Sequence, residues 1–356
     1  MVQVMETNLS NTGAEGQPLL CNGTAKNHTW ADKDATGSPL HESYRGKRRD
    51  KNGDLAGGDT VISITLPPPD RTEPRLVQEK WKTLTAFGFL SGNLVLNLTC
   101  LAVVHERVPD RNKYPPLPDI FFDLFPPLDW ALDVSEIIII ISIWSTLLLL
   151  FIHRYRWIVL QRVFFIMGIL YLMRSITMFV TQVPVASTTY YCSPKANTTN
   201  PLLIMKRVIQ LLSGFGLSIN GQHTFCGDYI YSGHTVILTL SYLIVREYSP
   251  QRWKVLHIFY LLLSSVGIIM VLLSRGHYTV DVVLGYYVTS RVFWIYHSLA
   301  NNNSLKTPSQ NNNFLARVWW FPLFTYFEKN VGGVVPRQYE WPLPWPRRWL
   351  PRTRIS

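Results

Sequence analysis

Six stretches of the chain are apolar for long enough to cross a bilayer core of about 30 Å: roughly residues 83–104, 134–152, 158–183, 233–246, 256–274 and 278–297. The second is the cleanest, with Glu136 followed by Ile-Ile-Ile-Ile-Ile-Ser-Ile-Trp and then a leucine run. The fourth is short, and Ser232-Gly233-His234 marks its membrane entrance. A seventh apolar stretch, 201–218, is broken by Lys206, Arg207 and glycines, a pattern that suits an interfacial or re-entrant helix. Residues 1–70 are rich in Asn, Gly, Thr, Asp and Lys. They hold too little apolar surface to offset the entropy of ordering and predict a disordered tail. Residues 71–300 then form a six-helix membrane domain. Residues 301–356 form a basic tail, in which Trp341, Trp345 and Trp349 interleave with proline and arginine as in a headgroup-level segment. The expected fold class is an all-α integral membrane protein with six transmembrane helices and a disordered cytosolic N-terminal tail.

Composition sharpens this picture. Of 356 residues, 47% are hydrophobic and 16% charged, against about a quarter charged in soluble domains, which excludes a soluble globular fold. The net charge of +11 does not require nucleic acid, because Lys and Arg collect where a membrane faces the cytosol. Arg71, Arg75, Lys80 and Lys82 precede the first span, and Arg154 and Arg156 fill the turn after the second. Arg246, Arg252 and Lys254 follow the fourth, and eight more basic residues lie beyond residue 297. The loop after the first span instead carries Glu106, Asp110, Asp119, Asp123, Asp129 and Asp133. Both termini are therefore expected in the cytosol, with the alternate loops lumenal or outside. Asn197-Thr198-Thr199 then lies in a lumenal loop as a glycosylation acceptor, whereas similar triplets at Asn8, Asn22 and Asn27 count against this topology. Four cysteines are too few for a disulfide scaffold, and no CxxC pair suggests zinc. The N-terminus has no apolar signal-peptide region, which leaves the first span as the targeting element.

Two histidines carry the candidate chemistry. His234 opens the fourth span, and His277 opens the sixth within Arg275-Gly276-His277-Tyr278-Thr279-Val280-Asp281. The 43 residues between them fit two crossings of about 20 residues and a short turn, which returns the chain to the same, exoplasmic face. His277 and Asp281 are four apart at a helix start and share one side. The carboxylate can then hold one ring nitrogen and leave the other as a nucleophile. A second histidine opposite can protonate a leaving alkoxide and later deprotonate an incoming hydroxyl. The N-termini of both helices aim N–H groups at a phosphate between them, and Arg174 and Arg275 are candidates to neutralise its oxygens. A lone histidine at a membrane boundary is usually just an interfacial residue. The combination with Asp281 and Ser232-Gly233 is what points to phosphoryl transfer. Arg162 is expected to snorkel to the cytosolic surface, and Arg174 and Arg291 either act in function or pair with a neighbouring helix. Cys192 and Cys226 share a lumenal region, either as a disulfide or with Cys226 free near the site. Asp228 is either a surface loop acid or a site residue.

The Ser-Gly-His and His-x-x-x-Asp patterns resemble those of the lipid phosphate phosphatase superfamily, and their surroundings are narrower. Cys226-Gly227-Asp228-Tyr229-Ile230-Tyr231-Ser232-Gly233-His234-Thr235 resembles the third motif of the sphingomyelin synthase family. His277-Tyr278-Thr279-Val280-Asp281-Val282-Val283, continuing through Tyr286, Tyr287, Arg291 and Phe293-Trp294-Ile295-Tyr296-His297, resembles the fourth. Pro115-Pro116-Leu117-Pro118-Asp119 and the stretch Arg162 to Thr181, with Gly168, Tyr171, Arg174, Thr177 and Met178, resemble the first two. The likeness runs from about Trp81 to Pro346. It implies transfer of phosphocholine from phosphatidylcholine to the primary hydroxyl of ceramide, giving sphingomyelin and diacylglycerol through a phosphohistidine, with no cofactor and no metal. Carried over by position, His277 is the nucleophile, Asp281 orients it and His234 is the acid/base. A choline headgroup favours an aromatic cage, for which Tyr229, Tyr231 and Tyr278 are candidates. Ser232, Asp228, Arg174 and Arg275 complete the expected substrate shell, and Cys226 supports it. The resemblance further implies a Golgi or plasma-membrane location, membrane lipids as partners, and leaves homo-oligomerisation open. Gln161-Arg162 and Ser274-Arg275-Gly276 depart from the family pattern. No sterile-alpha-type domain is read at the N-terminus, and the tail offers no cysteine for a palmitoyl anchor.

Three rival readings stand beside this one. A ceramide phosphoethanolamine synthase would present an acid such as Asp228 to the ammonium. A lipid phosphate phosphatase would release soluble phosphate or phosphocholine without ceramide. A channel or transporter would show inverted repeats or broken helices, and no convincing repeat is read.

Overall fold

The computed structural model describes residues 76–111, 113–187, 192–195, 201–213, 225–306 and 313–341. The predicted N-terminal tail, the Asn8, Asn22, Asn27 and Asn197 triplets, Trp345 and Trp349 lie outside these residues. The described chain is helical: α1 (Lys80–Arg107), α2 (Ile120–Leu124), α3 (Trp130–Phe151), α4 (Arg156–Val180), α5 (Pro201–Ser213), α6 (Gly233–Tyr248), α7 (Lys254–Leu273), α8 (Thr279–Asn301), α9 (Asn303–Lys306) and α10 (Phe321–Glu328). Among the described residues β-pairing is confined to the isolated bridges Leu76–Val331 and His153–Tyr339.

Four helices, α1, α3, α4 and α7, are long and apolar enough to cross a membrane. Ile137, Ile141, Trp144 and Leu148 of α3 and Val255, Ile258 and Leu262 of α7 face outward. This is the pattern of helices whose solvent is lipid, where a helix satisfies its own backbone. α6 and α8 form where the fourth and sixth spans are predicted; α6 is largely enclosed by its neighbours, whereas α8 keeps an outward face of Val280, Val283, Tyr286, Tyr287 and Trp294. α6 packs against α3, α7 and α8, and α8 also meets α4. The 16 residues of α6 reach about 24 Å at 1.5 Å per residue. Both helices carry polar residues of the site, and only neighbouring helices can satisfy those groups inside a bilayer. α1 lies along α4.

Residues 201–218, predicted as an interfacial or re-entrant segment, yield α5, which rests on α1. Arg207, Val208 and Leu211 face inward while Leu202, Met205, Ile209 and Leu212 are exposed. Arg207 is bound to Glu106 at the end of α1.

Two sequence expectations fail at the opposite end of the bundle from the histidines. The predicted tail is partly core: Trp320, Phe321, Phe324 and Phe327 are buried against α4 and α8. This aromatic run is too short to span and too apolar to remain in water. Arg162 does not snorkel. Its Nε and Nη2 donate to the two carboxylate oxygens of Glu328 at 2.8 and 2.7 Å, with both side chains 1% exposed. Tyr296 adds a hydroxyl donation to Glu328 at 2.8 Å, and Gln161 donates to the Phe327 carbonyl. Arg291, in α8, lies over the rings of Tyr287 and Trp294.

Candidate active site

The segment 225–232 and the α7–α8 link converge at the N-termini of α6 and α8. Cys192 and Cys226 form a disulfide at the base of the first segment, which resolves the two options the sequence leaves for Cys226. His105 of α1 clasps the same place. Its Nδ1 accepts the Cys226 N–H at 3.0 Å, and its Nε2 faces the Ser193 carbonyl at 3.1 Å. Gly227 follows at φ +115°, and a Cβ there would collide with Val104 and Val108. Both the backbone angle and the close approach demand glycine.

Ile230 sits at φ +73°, an outlier for a β-branched residue. Asp281 holds it there: its Oδ1 accepts the Ile230 N–H at 2.8 Å, and its Oδ2 accepts the Tyr278 N–H at 3.0 Å. The Ser232 N–H donates to the Asp281 carbonyl at 3.3 Å, and the Ser232 hydroxyl oxygen caps α6 by accepting from Thr235 N–H. Asp281 thus ties the segment before α6 to the first turn of α8. Its approach to His277 Nδ1 is 3.5 Å, a charge contact rather than the hydrogen bond that the i, i+4 spacing predicts.

The two imidazoles meet with ring centroids 5.5 Å apart and planes inclined at 65°. His277 is 3% exposed and packed edge-on against Tyr229. Its Nδ1 faces Asp281, which leaves Nε2 for a substrate. His234 Nε2 lies 3.9 Å from Glu136 Oε1, and Glu136 is fully buried in α3. At the level of sequence Glu136 falls within the second span and is assigned no role. The available signal was a lone acid heading an uninterrupted isoleucine run, since intramembrane acids are functional candidates by default.

Several other sequence candidates are placed differently from expectation. Arg174 is buried and fully engaged. It is paired with Asp228, donates to Asn97 Oδ1, and donates through Nε to the Tyr231 carbonyl at 3.0 Å. Its guanidinium lies against Gly233. Arg174 therefore props up the Ser-Gly-His turn, and the Asp228 charge is spent on it. Arg275 sits at φ +53°, its Nη2 engaged by α2. Its Nη2 donates to the Phe122 and Phe125 carbonyls at 2.8 and 3.3 Å, and its guanidinium lies 5.0 Å from the Phe122 ring. It thereby clamps α2 to the site.

The tyrosines separate as well. Tyr229 and Tyr278 pack together at 5.6 Å, and the Tyr278 hydroxyl accepts from Leu117 N–H and donates to the Pro184 carbonyl. Tyr231 points into the core between α4, α6 and α8 and leaves the expected cage.

Asp119, the last residue of the proline-rich motif, performs a task that its sequence context does not reveal. It caps α2 through Phe121 N–H at 2.9 Å and accepts both Thr279 N–H and Thr279 Oγ1–H at 2.7 Å. Although partial burial opposes its charged form, these donors hold the carboxyl below its ordinary range. With Arg275 it fastens the 114–125 segment beside His277. Arg275→Ala is expected to speed amide exchange across Ile120–Leu124 by about tenfold, the effect of losing roughly one charge-assisted hydrogen bond, as read by hydrogen–deuterium exchange mass spectrometry.

Residues 225–298 match the PAP2 superfamily C-terminal family, a range that contains both histidines and Asp281. Over 285 residues the chain is 49% identical to phosphatidylcholine:ceramide cholinephosphotransferase 2 of Mus musculus, covering 80% of this chain and 77% of the relative. It is 50% identical over 287 residues to the corresponding protein 2 of Rattus norvegicus, covering 80% and 77%. Against phosphatidylcholine:ceramide cholinephosphotransferase 1 of Rattus norvegicus it is 49% identical over 288 residues, covering 80% and 67%.

Proposed function

Because the chain belongs to the sphingomyelin synthase family, we propose that it transfers phosphocholine from phosphatidylcholine to the primary hydroxyl of ceramide, yielding sphingomyelin and diacylglycerol. The observation that carries this reading is the pair of imidazoles 5.5 Å apart at the starts of two adjacent helices, a spacing that accommodates one phosphorus centre.

In the first half-reaction His277 Nε2 attacks phosphorus and the bond from phosphorus to the diacylglycerol oxygen breaks. His234 supplies the proton to that oxygen. Diacylglycerol leaves and phosphocholine remains on His277. In the second half-reaction His234 takes the proton of the ceramide hydroxyl, whose oxygen attacks phosphorus and expels His277. Glu136 faces His234 and balances the positive charge the ring carries when protonated. Asp281 balances His277 while holding the Ile230 turn in place. The first-turn N–H groups of α6 and α8 supply the phosphate with donors, a role that Arg174 and Arg275 do not fill. Burial of His277 keeps water from the intermediate, which favours transfer over hydrolysis.

Choline is the favoured headgroup. Tyr229 and Tyr278 offer aromatic faces to a quaternary ammonium, whereas Asp228, the acid an ethanolamine would need, is neutralised by Arg174. In the membrane α6 and α8 serve as the fourth and sixth crossings, both termini face the cytosol, and the site opens to the lumenal side of the Golgi or plasma membrane. The outward side chains of Ile120, Leu124, Phe125 and Trp130 support an outer-leaflet setting for the site's rim.

The test is a competition. Liposomes holding the purified protein, ceramide and equal labelled phosphatidylcholine and phosphatidylethanolamine should yield sphingomyelin over ceramide phosphoethanolamine by at least about tenfold, or about 1.4 kcal/mol of discrimination. Dominant ceramide phosphoethanolamine reverses the headgroup assignment, and rapid phosphocholine release without ceramide makes the protein a phosphatase.

A further inference from the structure

α6 and α8 start side by side at the histidines and are still adjacent at their far ends, where the Tyr248 hydroxyl and His297 Nε2 lie 2.8 Å apart. Beside that contact a cavity of about 450 Å³ opens between the two helices. Its walls are graded. Leu243 of α6 and Phe293 and Trp294 of α8 line one part. Arg246, a turn further along α6, and Ser298 and Asn301, further along α8, line the other. Both helices run away from the histidines, so both walls pass from apolar to polar in the same direction.

Arg246 is exposed, donates through Nη1 to the Tyr242 hydroxyl at 3.2 Å, and forms no ion pair among the described residues. Glu247, the acid in the wall, instead faces Arg337 Nη2 at 3.7 Å. Trp294 also belongs to the outward side of α8. The Arg291 guanidinium lies 5.2 Å from its ring and 5.3 Å from that of Tyr287, and both rings are exposed. The apolar end of the cavity therefore continues onto the outer surface of the helix.

This arrangement narrows the ligand. A metal ion is disfavoured, because Glu247 already faces Arg337 and stands next to Arg246. A wholly apolar guest would cover the Arg246 charge without compensating it, and a soluble anion would leave Leu243, Phe293 and Trp294 without apolar contact. An amphiphile whose chain follows the apolar wall and whose anionic group reaches Arg246 satisfies both. A phosphodiester suits the polar end better than a carboxylate. Its several oxygens can accept from the Arg246 guanidinium, the Ser298 hydroxyl and the Asn301 amide together.

We propose that the cavity between the C-terminal halves of α6 and α8 is a second phospholipid site, in the leaflet opposite the histidines. The lipid phosphate rests on Arg246, and an acyl chain lies against Leu243, Phe293 and Trp294. The site takes from the functional reading only that α6 and α8 cross the bilayer, and its test reads binding rather than turnover.

The test is photolabelling of the full-length protein in detergent micelles. The probe is phosphatidylethanolamine carrying a diazirine near the start of one acyl chain. Adducts on residues 243–247 and 293–302 should exceed those on Ile258 and Leu262 of α7, which any lipid reaches, by at least about tenfold. Arg246→Gln should lower cavity labelling about tenfold, the effect of losing roughly one charge-assisted hydrogen bond, and Arg246→Lys should retain most of it. Asn301→Asp should lower it as well, by placing a like charge beside the phosphate, and labelling of α7 should stay constant in all three variants. Equal labelling of the cavity and α7 in the native protein overturns the proposal without recourse to any variant. Cavity labelling that both Arg246→Gln and Asn301→Asp leave unchanged overturns it too. Displacement of the probe by soluble glycerophosphoethanolamine as readily as by unlabelled phospholipid makes the cavity a site for a soluble phosphate ester and removes the lipid.

Discussion

Exchanging His277 for alanine is expected to reduce sphingomyelin formation by at least about 10³-fold, the scale on which enzymes lose rate when a covalent nucleophile is removed. The side chain is 3% exposed and lies where two helix N-termini meet, so its loss removes the acceptor of the phosphoryl group rather than a surface contact. The truncation leaves a small space behind Tyr229, and the hydrogen bonds that organise the region run through Asp281, Ser232 and Asp119. The variant should therefore fold. The measurement is product formation from labelled phosphatidylcholine and ceramide in liposomes, alongside the melting temperature of the same preparation. His234→Ala should fall comparably in turnover, because both half-reactions pass their proton through that ring. An H277A protein that makes sphingomyelin at the native rate removes the proposed nucleophile.

The second large effect concerns stability at the other end of the bundle. Glu328→Gln should destabilise the protein by about 3–5 kcal/mol, the cost of leaving one partner of a buried ion pair uncompensated. Arg162 is held by two parallel donations at 2.8 and 2.7 Å and is 1% exposed, so its charge has no route to water. The Tyr296 hydroxyl, which donates to Glu328 at 2.8 Å, loses a charged acceptor as well. A drop of about 10 °C or more in apparent melting temperature is expected. The double variant R162M/E328L should recover most of it, because removing both partners of the close pair leaves only the partly exposed Lys306, 3.9 Å from Glu328, without that carboxylate. Were Arg162 a snorkelling residue, Glu328→Gln would cost less than about 1 kcal/mol and the double variant would rescue nothing.

The two outcomes bear on different parts of what could be read in advance. The helices at 83–104, 134–152, 158–183 and 256–274 were legible because lipid imposes a minimum apolar length, and that length is a local property. The meeting of His234 with His277 was legible because 43 residues accommodate one helix out and one helix back, which α6 and α7 supply. Arg162 was not legible. Its partner stands 166 residues away in an aromatic stretch that looks like a tail, and hydropathy along one segment carries no information about which distant carboxylate will share its burial. Arg174, Asp228 and Arg275 were recognised as charges belonging to the site, yet their directions were not. A charged side chain points toward whichever partner best offsets its desolvation, and for these three the partners are each other and the α2 carbonyls rather than a phosphate.

Sequence alone therefore determined the membrane solvent, the positions of the apolar helices, and the presence of two histidines and an aspartate at one boundary. It did so because backbone satisfaction in lipid and the rise of a helix are set residue by residue. The tertiary structure alone decided that Glu136 stands behind His234, that Asp281 spends its oxygens on the Ile230 and Tyr278 amides, and that Tyr231 is buried in the core. Those outcomes depend on how tilted helices place groups remote in the chain within a few ångströms of one another, where burial makes each polar contact decisive.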